Sequence, residues 1–492
     1  MTLEYIILGL YFLILFGIGY FASKKIHSIE DYYVGGKKLN FWIVAFSSRA
    51  TGESAWLLLG LTGMGAVAGI SAYWVVLGEV IGVSVAWFFM AKPFKHLTDQ
   101  YNSITIPDYL VSRFNSKTNF LRATAATTLA LFVVIYVSAQ IDATGKAFET
   151  FLDIDYYTGA IVGFVIVVAY IFTGGFVAVA WSDVFQGALM FAGLVILPIV
   201  GLFAFEGGLF SSLSKVDPDL LDIWGSGGLT FFNVATIMGF LFIGLGFMGS
   251  PQIFVRFMSI KSEAEIKKGR WVAILFTLLA DIGAVTIGLI GRILFTESGA
   301  DPELALGISG ENVLPMLVEN LMPAIVVGIY IAIILSAIMS TIDSLLVVAS
   351  SAITRDFYQQ IFRPDLKNDN LSTLSRKVTL LLAFSALGIA MLVAILSPTR
   401  TIFWFVIFGW SGIAATFCPV IILSLFWKSY NENGALASMI SGFLSVPIFK
   451  FLVPLLPGVG KYFVQMDVMF PSFVIAFVFG FIFTKMNGAS AN

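Results

Sequence analysis

The chain has 492 residues, of which 58% are hydrophobic, 15% aromatic and only 12% charged. A soluble domain carries about 25% charged residues. A soluble body of this size could therefore not cover its surface, and its 48 Phe would be exposed to water. The composition predicts an integral membrane protein. Its 28 basic and 30 acidic residues nearly cancel, which excludes the basic surface of a nucleic-acid binder.

Residues that mark other functional classes are scarce. The single cysteine, Cys418, excludes an intramolecular disulfide and a CxxC metal site. The only two histidines, His27 and His96, argue against a haem or a histidine-ligated metal. The sequence has no GxxxxGK[ST] motif, so ATP-driven transport would need a partner subunit. No grouping of nucleophile, base and metal ligands predicts an enzyme.

Apolar stretches long enough to cross a hydrocarbon core of about 30 Å recur along the whole chain. No linker divides them, so the sequence predicts an all-α protein with a single transmembrane domain over residues 1–492. A further interfacial helix is expected at 311–321. The apolar stretches predict thirteen spans, at 3–22, 40–67, 71–92, 120–147, 157–174, 177–205, 230–255, 271–294, 322–350, 377–397, 401–427, 433–455 and 468–485.

The basic residues predict how these spans are oriented. Lys24 and Lys25 follow the first apolar run and no basic residue precedes it, which is the reverse of a cleaved signal peptide. With the amino terminus outside and the carboxyl terminus in the cytoplasm, most Lys and Arg residues, including Arg256, belong to inner segments, as the positive-inside rule requires. The outer segments hold only Lys146, Lys215, Arg292, Arg400, Lys450 and Lys461. We expect a multi-pass protein of the inner (plasma) membrane, in contact with the lipid bilayer.

Charged residues inside the spans are strong functional candidates, because a charge in lipid is expensive. Asp142 and Lys146 lie four residues apart near the outer end of the fourth span, which favours a structural pair. Asp281, in the eighth span, has no sequence neighbour that explains it. The full set is Arg49, Glu53, Glu79, Asp142, Lys146, Asp183, Asp281 and Asp343.

Arg49 and Glu53 predict an ion pair within the second span. They are four residues apart and share a helical face, and Glu79 in the next span could be a second partner for Arg49. Two roles for Arg49 remain open at this point. It either holds the surrounding segment in shape or binds a carboxylate of the substrate directly.

Two spans contain polar segments that a continuous helix does not need. Residues 47–56 (SSRATGESAW) form a small, polar stretch in the middle of the second span. An unwound helix there would free backbone carbonyls to bind a cation. In the ninth span, positions 337, 340, 341 and 344 share a face that offers hydroxyls, and hard cations prefer oxygen ligands. Close packing of small residues is the alternative explanation for both segments.

The seventh span is also predicted to be broken, because Gly244, Gly246, Gly249 and Pro251 cannot form a stiff continuous helix. The second and seventh spans lie five spans apart. That offset is typical of two inverted five-helix repeats that each begin with a discontinuous helix. The expected units are a leading helix at 3–22, repeat one at 40–205, repeat two at 230–427 and trailing helices at 433–485.

Short motifs distributed over nearly the whole chain carry a family resemblance. They are DYYVGG at 31–36, SAWLLLG at 54–60, IPDY at 106–109, GGFVAVAWSD at 174–183, PQI at 251–253, RFM at 256–258, MST at 339–341 and SSAIT at 350–354. In this order and spacing the sequence resembles the sodium:solute symporters, and most closely the bacterial sodium/proline symporter branch. The resemblance implies the inverted-repeat fold of the leucine-transporter type.

Residue by residue, the resemblance implies a site for Na⁺, the coupling ion of that family. Asp183 is a candidate for a second cation position or a release path. The expected ligands of the first site are the backbone carbonyls of Ala50, Glu53 and Ala337 and the hydroxyls of Ser340 and Thr341.

The resemblance also implies where the solute binds. Tyr136 matches a tyrosine of the proline branch, and Gln140 lies one turn further on. Gly52, Ile243 and Phe247 replace an aspartate, a tryptophan and a tyrosine of that branch. The residues expected around the solute are Thr51, Gly52, Ser54, Tyr136, Gln140, Gly244 and Phe247. The charges inside the spans, rather than the resemblance, give the residues expected to couple ion and solute, which are Arg49, Glu79, Asp142 and Asp343.

Three functions follow from these observations. The resemblance favours a sodium-driven symporter that imports a small organic solute, such as proline, another small amino acid or another polar compound. A proton-driven transporter of the same fold would use Glu53, Glu79 or Asp142 as its titrating group. A non-transporting membrane sensor is the third, and the lack of any signalling domain argues against it.

Overall fold

The structure is a computed structural model that describes residues 2–171, 175–366 and 371–488. Over these residues it is helical, apart from loops and one isolated bridge between Leu39 and Ile260. The helices of the first half are α1 (Thr2–Ser23), α2 (Ile29–Val34), α3 (Phe41–Ala55), α4 (Thr62–Ala68), α5 (Tyr73–Val85), α6 (Ala91–Gln100), α7 (Ile106–Phe114), α8 (Phe120–Leu152), α9 (Tyr156–Ile171), α10 (Gly175–Gly201) and α11 (Leu209–Val216).

The second half continues without a strand in the described ranges. Its helices are α12 (Phe231–Phe242), α13 (Pro251–Ser259), α14 (Glu263–Phe295), α15 (Pro302–Leu306), α16 (Val313–Leu321), α17 (Ala324–Ser351), α18 (Leu371–Leu396), α19 (Ile402–Phe426), α20 (Glu432–Pro447), α21 (Gly460–Met466) and α22 (Met469–Gly488). Helix α16 confirms the helix expected at 311–321.

The predicted spans correspond closely to these helices. Eleven helical stretches in the described residues are long and apolar enough to cross a membrane. One of them, Phe41–Gln100, holds both the second and third predicted spans, separated by a 3₁₀ segment at Gly69–Ala72. The shorter apolar helix Tyr156–Ala169 accounts for the fifth span. The last three residues of that predicted span, and Gly174 of the GGFVAVAWSD motif, lie outside the described residues.

The predicted breaks in the second and seventh spans are present. Helix α3 ends at a backbone kink and continues into α4 through a π-helical segment at Trp56–Leu61. Helices α12 and α13 are joined by a 3₁₀ segment at Ile243–Met248, followed by Gly249 and Ser250. Proline begins α13, where a missing backbone N–H does no harm. The breaks therefore occur where the glycine, proline and polar residues are concentrated.

A few helices form the centre of the molecule and the others surround them. Helices α17 and α19 have 78% and 89% of their most apolar stretch buried, against 28% for α1, so they are central although all are apolar. Helix α3 packs between α10, α14 and α17, and α8 packs against α9, α17, α18 and α19. The broken α3 therefore lies beside α17, the helix that carries the other predicted ion-binding segment.

Candidate functional site

The break in α3 falls at Ser54, inside the polar segment singled out in the sequence. Ser54 has φ 39° and ψ −165°, a backbone conformation that residues other than glycine rarely adopt. Strain of this kind costs about 1–3 kcal/mol and persists only where surrounding contacts impose it. The break is therefore a built feature of this part of the molecule.

Helix α8 supplies the side chains that contact the break. The Tyr136 hydroxyl donates to Ser54 Oγ at 3.5 Å, and Gln140 Nε2 donates to the same oxygen at 3.3 Å. Gln140 Oε1 accepts the backbone N–H of Ala55 at 3.3 Å. All of these residues are buried. The structure thus brings together Ser54, Tyr136 and Gln140, and their contact with a solute stays a prediction.

Aromatic rings lie on the other side of the same segment. A Cβ atom at Gly52 would lie only 2.6 Å from Phe247 Cε1, so this position accepts no larger residue without a shift. Phe247 in turn packs on Trp410, with ring centroids 4.9 Å apart. The sequence reasoning missed Trp410, whose signal was a large polar-edged ring within the small and polar GWSG run of the eleventh span.

Gly244 has a different environment from the other predicted solute residues. It lies where the 3₁₀ segment of the seventh span crosses α5, in contact with the backbone of Gly78 and Gly82. A side chain on either partner would force these two elements apart. Close packing accounts for this glycine, and its contact with a solute stays a prediction.

The predicted sodium ligands meet between α3 and α17. Ser340 Oγ donates to the carbonyl oxygens of Ala50 at 2.9 Å and Ala337 at 3.1 Å. Thr341 Oγ1 donates to the carbonyl oxygens of Thr51 at 3.1 Å and Ala337 at 3.0 Å. All five residues are fully or almost fully buried. The result is a compact group of oxygen atoms, the donor set that Na⁺ requires.

One predicted ligand has another partner in the structure. The Glu53 carbonyl accepts the backbone N–H of Trp56, within the turn that carries the chain past the break. In the oxygen group, the Thr51 carbonyl lies against Thr341. Thr51, predicted from the sequence as a solute residue, thus contributes its backbone to the ion side, and the role of the Glu53 carbonyl stays a prediction.

Asp183 lies in a polar network beside these oxygens. Its Oδ2 accepts from Ser47 Oγ at 2.6 Å and from Arg256 Nη2 at 2.8 Å. Arg256 Nη2 also donates to Thr51 Oγ1 at 2.6 Å and to Ser344 Oγ at 2.5 Å. The charge of Asp183 is therefore paired with a guanidinium. Its role as a second cation position stays a prediction, and that role would require the guanidinium to share or leave the carboxylate.

The assignment of Arg256 to an inner loop is wrong. Its side chain is fully buried in α13, in contact with α3, α10 and α17. The positive charge of Arg256 near the end of a span suggested a loop, but the carboxylate of Asp183 stabilises this charge in the interior of the protein. Asp343, next to Ser344, completes this cluster, with its Oδ1 accepting from Ser344 Oγ at 3.4 Å.

The ion pair predicted between Arg49 and Glu53 is confirmed, as is the second partner. Arg49 Nη2 contacts Glu53 Oε1 and lies 3.3 Å from Glu79 Oε2, and all three side chains are buried. The Arg49 guanidinium lies 4.5 Å from the centre of the Phe247 ring, in a cation–π contact. Protein groups thus contact Arg49 from α3, α5 and the seventh span.

The predicted pair between Asp142 and Lys146 is wrong. Asp142 instead binds Arg400, and its Oδ1 accepts from the Tyr156 hydroxyl at 2.5 Å. Lys146 Nζ lies 3.1 Å from Glu311 Oε2. Asp142 and Lys146 thus each bind a residue that is distant in the sequence, Arg400 and Glu311. Each of the two charges therefore joins α8 to another element rather than to the next turn of α8. The coupling role of Asp142 stays a prediction.

Comparison with known proteins identifies the family of this chain. The sequence model of the sodium:solute symporter family matches residues 32–442. The chain belongs to that family. This sodium:solute symporter is 36% identical to the high-affinity proline transporter PutP of Bacillus subtilis over 90% of its own length and 92% of the relative's. It is 35% identical to the osmoregulated proline transporter OpuE of the same species, over 99% and 96% of the two chains.

Another relative is a sodium/proline symporter of Staphylococcus aureus, 31% identical over 98% of this chain and 92% of that one. The fold of this symporter is shared with solved structures. A Na⁺-coupled sialic acid symporter, solved in a substrate-bound outward-open state, superposes with a TM-score of 0.77 over 98% of both chains at 18% identity. MhsT, solved with L-phenylalanine, gives a TM-score of 0.53 over 89% of this chain and 97% of its own, at 15% identity. The predicted leucine-transporter-type fold is confirmed, and the protein is a sodium-coupled symporter of a small organic solute.

Proposed function

We propose that this symporter imports proline across the plasma membrane, with Na⁺ bound between α3 and α17 as the coupling ion. The observation that carries the proposal is the oxygen group at Ala50, Thr51, Ala337, Ser340 and Thr341. Its two members on α3, Ala50 and Thr51, precede the strained residue Ser54 by four and three residues. Proline is proposed because the relatives that resemble the chain over nearly all of its length are named as proline transporters.

The mechanism follows from this proximity. Na⁺ replaces the hydrogen bonds that Ser340 and Thr341 make to the carbonyls of α3, and so links the two helices. The ion fixes the segment that ends at Ser54, where the Tyr136 hydroxyl and the Gln140 amide exchange their hydrogen bonds to Ser54 and Ala55 for bonds to polar groups of the solute. The rings of Phe247 and Trp410 offer an apolar surface for the aliphatic ring of proline. Each ligand therefore raises the affinity for the other.

The proposed transport unit is the single domain predicted from the sequence. Repeats at 40–205 and 230–427 rock against each other around the site, flanked by the leading helix at 3–22 and the trailing helices at 433–485. The proposed orientation has the amino terminus outside and the carboxyl terminus in the cytoplasm. Cysteine-accessibility labelling of single cysteines placed in the loops at 206 and 297 tests that orientation.

Thermal unfolding of the purified protein tests the ion and the solute together. Proline, other amino acids and polar solutes are added singly in Na⁺ or in K⁺ buffer at constant pH. We expect proline to raise the melting temperature in Na⁺ and to have little effect in K⁺, because binding to the folded state stabilises it and the two sites are coupled. A solute that stabilises equally in both buffers, or only when the pH is lowered, contradicts sodium coupling.

A further inference from the structure

Three buried carboxylates from three different helices meet beside Arg49. They are Glu53 on α3, Glu79 on α5 and Asp281 on α14, and none of them is exposed. One oxygen from each can be chosen so that all three lie within 4.8 Å of one another. Three oxygen atoms this close together all lie within about 2.8 Å of a common centre, where a cation could bind. Oxygen ligands take about 2.3–2.6 Å around Ca²⁺, a hard cation of nearly the size of Na⁺.

The carboxylate oxygens in this cluster exceed the donors available to them. Arg49 contacts one oxygen of each glutamate, Glu53 Oε1 and Glu79 Oε2. Within the described part of the chain, the other oxygen of each glutamate and both oxygens of Asp281 have no hydrogen-bond partner. A buried carboxylate without a donor costs several kcal/mol unless a cation or a proton neutralises it. Among the described residues, Asp281 therefore has two carboxylate oxygens that no donor contacts. It lies in the same cluster as two glutamates that each have one such oxygen.

We propose that Glu53, Glu79 and Asp281 form a second Na⁺ site, separate from the oxygen group between α3 and α17. In this proposal one oxygen of each glutamate stays on Arg49 and the other binds the ion, together with Asp281. Na⁺ and Arg49 offset two of the three negative charges, and a proton shared between neighbouring carboxyl groups offsets the third. The choice of Na⁺ rests on the sodium coupling proposed above, because that is the ion the transporter encounters as its driving gradient.

This site also explains the contacts of Arg49. The guanidinium contacts both glutamates and lies against the face of the Phe247 ring, and as a cation with N–H donors only it cannot itself be a ligand of the ion. It positions the glutamates and lowers the negative charge of the cluster. Because Glu53 is one residue before Ser54, an ion held by its carboxylate also acts on the break. Two sodium ions would then bind on opposite sides of the same segment of α3.

Equilibrium binding of radioactive ²²Na⁺ to the purified protein, without solute, tests the proposal. We expect two Na⁺ sites of wild-type affinity in the wild-type chain, one in Asp281→Asn, one in Thr341→Ala, where the other site is weakened roughly tenfold, and none in the double variant. Asp467→Asn is the matched control, because Asp467 is a buried aspartate whose partner, Lys450, lies 3.2 Å away and outside the cluster. It should bind two. Glu79→Gln removes a ligand from a different helix and carries the same expectation as Asp281→Asn if that variant does not fold.

The outcomes separate the two proposals. A wild-type chain that binds one Na⁺, lost in Thr341→Ala and kept in Asp281→Asn, overturns the second site and leaves the first intact. Proton release on binding that disappears in Asp281→Asn, with a single Na⁺ throughout, assigns the cluster to a proton and also overturns it. Retention of ⁴⁵Ca²⁺ in place of the second Na⁺ would also overturn the second Na⁺ site. A wild-type chain that binds no Na⁺ contradicts the proposed function itself.

Discussion

At the scale of single residues, the hydroxyls of α17 determine whether the oxygen group can hold an ion. Ser340 Oγ and Thr341 Oγ1 each lie within hydrogen-bond distance of one carbonyl of α3 and one of α17, so each hydroxyl is beside the oxygens of the proposed ion site. A hydroxyl can exchange its hydrogen bond for coordination through a lone pair without moving. Small hydroxyl residues at these positions therefore suit the proposed ion site as well as close packing.

Replacing Ser340 or Thr341 by Ala removes one ligand oxygen from the ion. We expect the Na⁺ concentration for half-maximal uptake to rise roughly tenfold, equivalent to about 1.4 kcal/mol of binding free energy. Uptake titrated against Na⁺ at constant ionic strength measures this. Ser350→Ala is the matched control, because that hydroxyl is on the same helix and, among the described residues, bonds only to Val347 O within it. Unchanged Na⁺ dependence in both Ser340→Ala and Thr341→Ala would contradict the assignment.

Arg49 tests whether the charge beside the break supports the protein or binds the solute. Its observed partners are Glu53, Glu79 and the Phe247 ring, which favours the supporting role. Arg49→Lys keeps the charge but loses the planar fork that reaches two carboxylates. We expect Na⁺ binding without solute to weaken several-fold, measured by ²²Na⁺ titration. A variant with normal Na⁺ binding and reduced solute affinity would assign Arg49 to the solute instead.

At the scale of helices, the sequence predicts breaks better than it predicts partners. Glycine, proline and polar residues disrupt a helix at their own positions, so the breaks can be predicted from residues 47–56 and 244–251 alone. The partner of Asp142 is 258 positions away at Arg400, and that of Asp183 is 73 positions away at Arg256. Residues so far apart in the sequence form no local pattern from which either ion pair could be predicted. The i,i+4 rule succeeded for Arg49 and Glu53 but failed for Asp142 and Lys146, because packing of α8 against other elements offered closer partners.

The crossing of α5 with the broken seventh span depends on glycine. A Cβ at Gly78 would meet the backbone of Leu241, and one at Gly244 would meet the backbone of Gly78. We expect Gly78→Ala to lower the free energy of unfolding by about 1–3 kcal/mol, as overpacking does, seen as a lower melting temperature. Gly388→Ala is the control, since nothing lies within 4 Å of a Cβ there and Ala favours the helix. Equal melting temperatures for the two variants would contradict this crossing.

At the scale of the whole molecule, charged side chains join the elements at both ends. At the end expected to face the cytoplasm, Asp108 on α7 lies 2.7 Å from Arg122 on α8 and 2.9 Å from Arg355, and Arg122 also binds Asp356. At the other end, Asp142 binds Arg400, and Lys146 binds Glu311 beside a cavity of about 480 Å³. The proposed rocking of the repeats would loosen one set of pairs while the other holds.

The inner network predicts a dependence of stability on pH. Burial favours the protonated form of Asp108, but Arg355 and Arg122 hold its pKa below the ordinary value of 3.8. A depressed folded-state pKa contributes stability above the unfolded pKa, and that contribution is lost as the pH falls through the folded one. We expect Asp108→Asn to lower the melting temperature from pH 5 to pH 8, at a cost of about 3 kcal/mol. The difference from wild type should shrink below about pH 4.

The control for this experiment is Asp365→Asn. Asp365 pairs with Arg363 at 3.5 Å, but both side chains are largely exposed, so the pair contributes little. Its melting temperature should follow that of the wild type at every pH. A difference for Asp108→Asn that stays constant into acid would show that the carboxylate charge is not what stabilises this network.

Sodium-driven uptake of labelled proline is the most direct test of the central claim, that Na⁺ bound between α3 and α17 drives solute import. Purified protein is reconstituted into proteoliposomes with an inward gradient of Na⁺, of K⁺ or of protons at equal membrane potential. We expect proline to accumulate only with the Na⁺ gradient, and Thr341→Ala to need far more Na⁺ for the same rate. Accumulation driven equally well by the proton gradient without Na⁺, or no accumulation with any gradient, would contradict the claim.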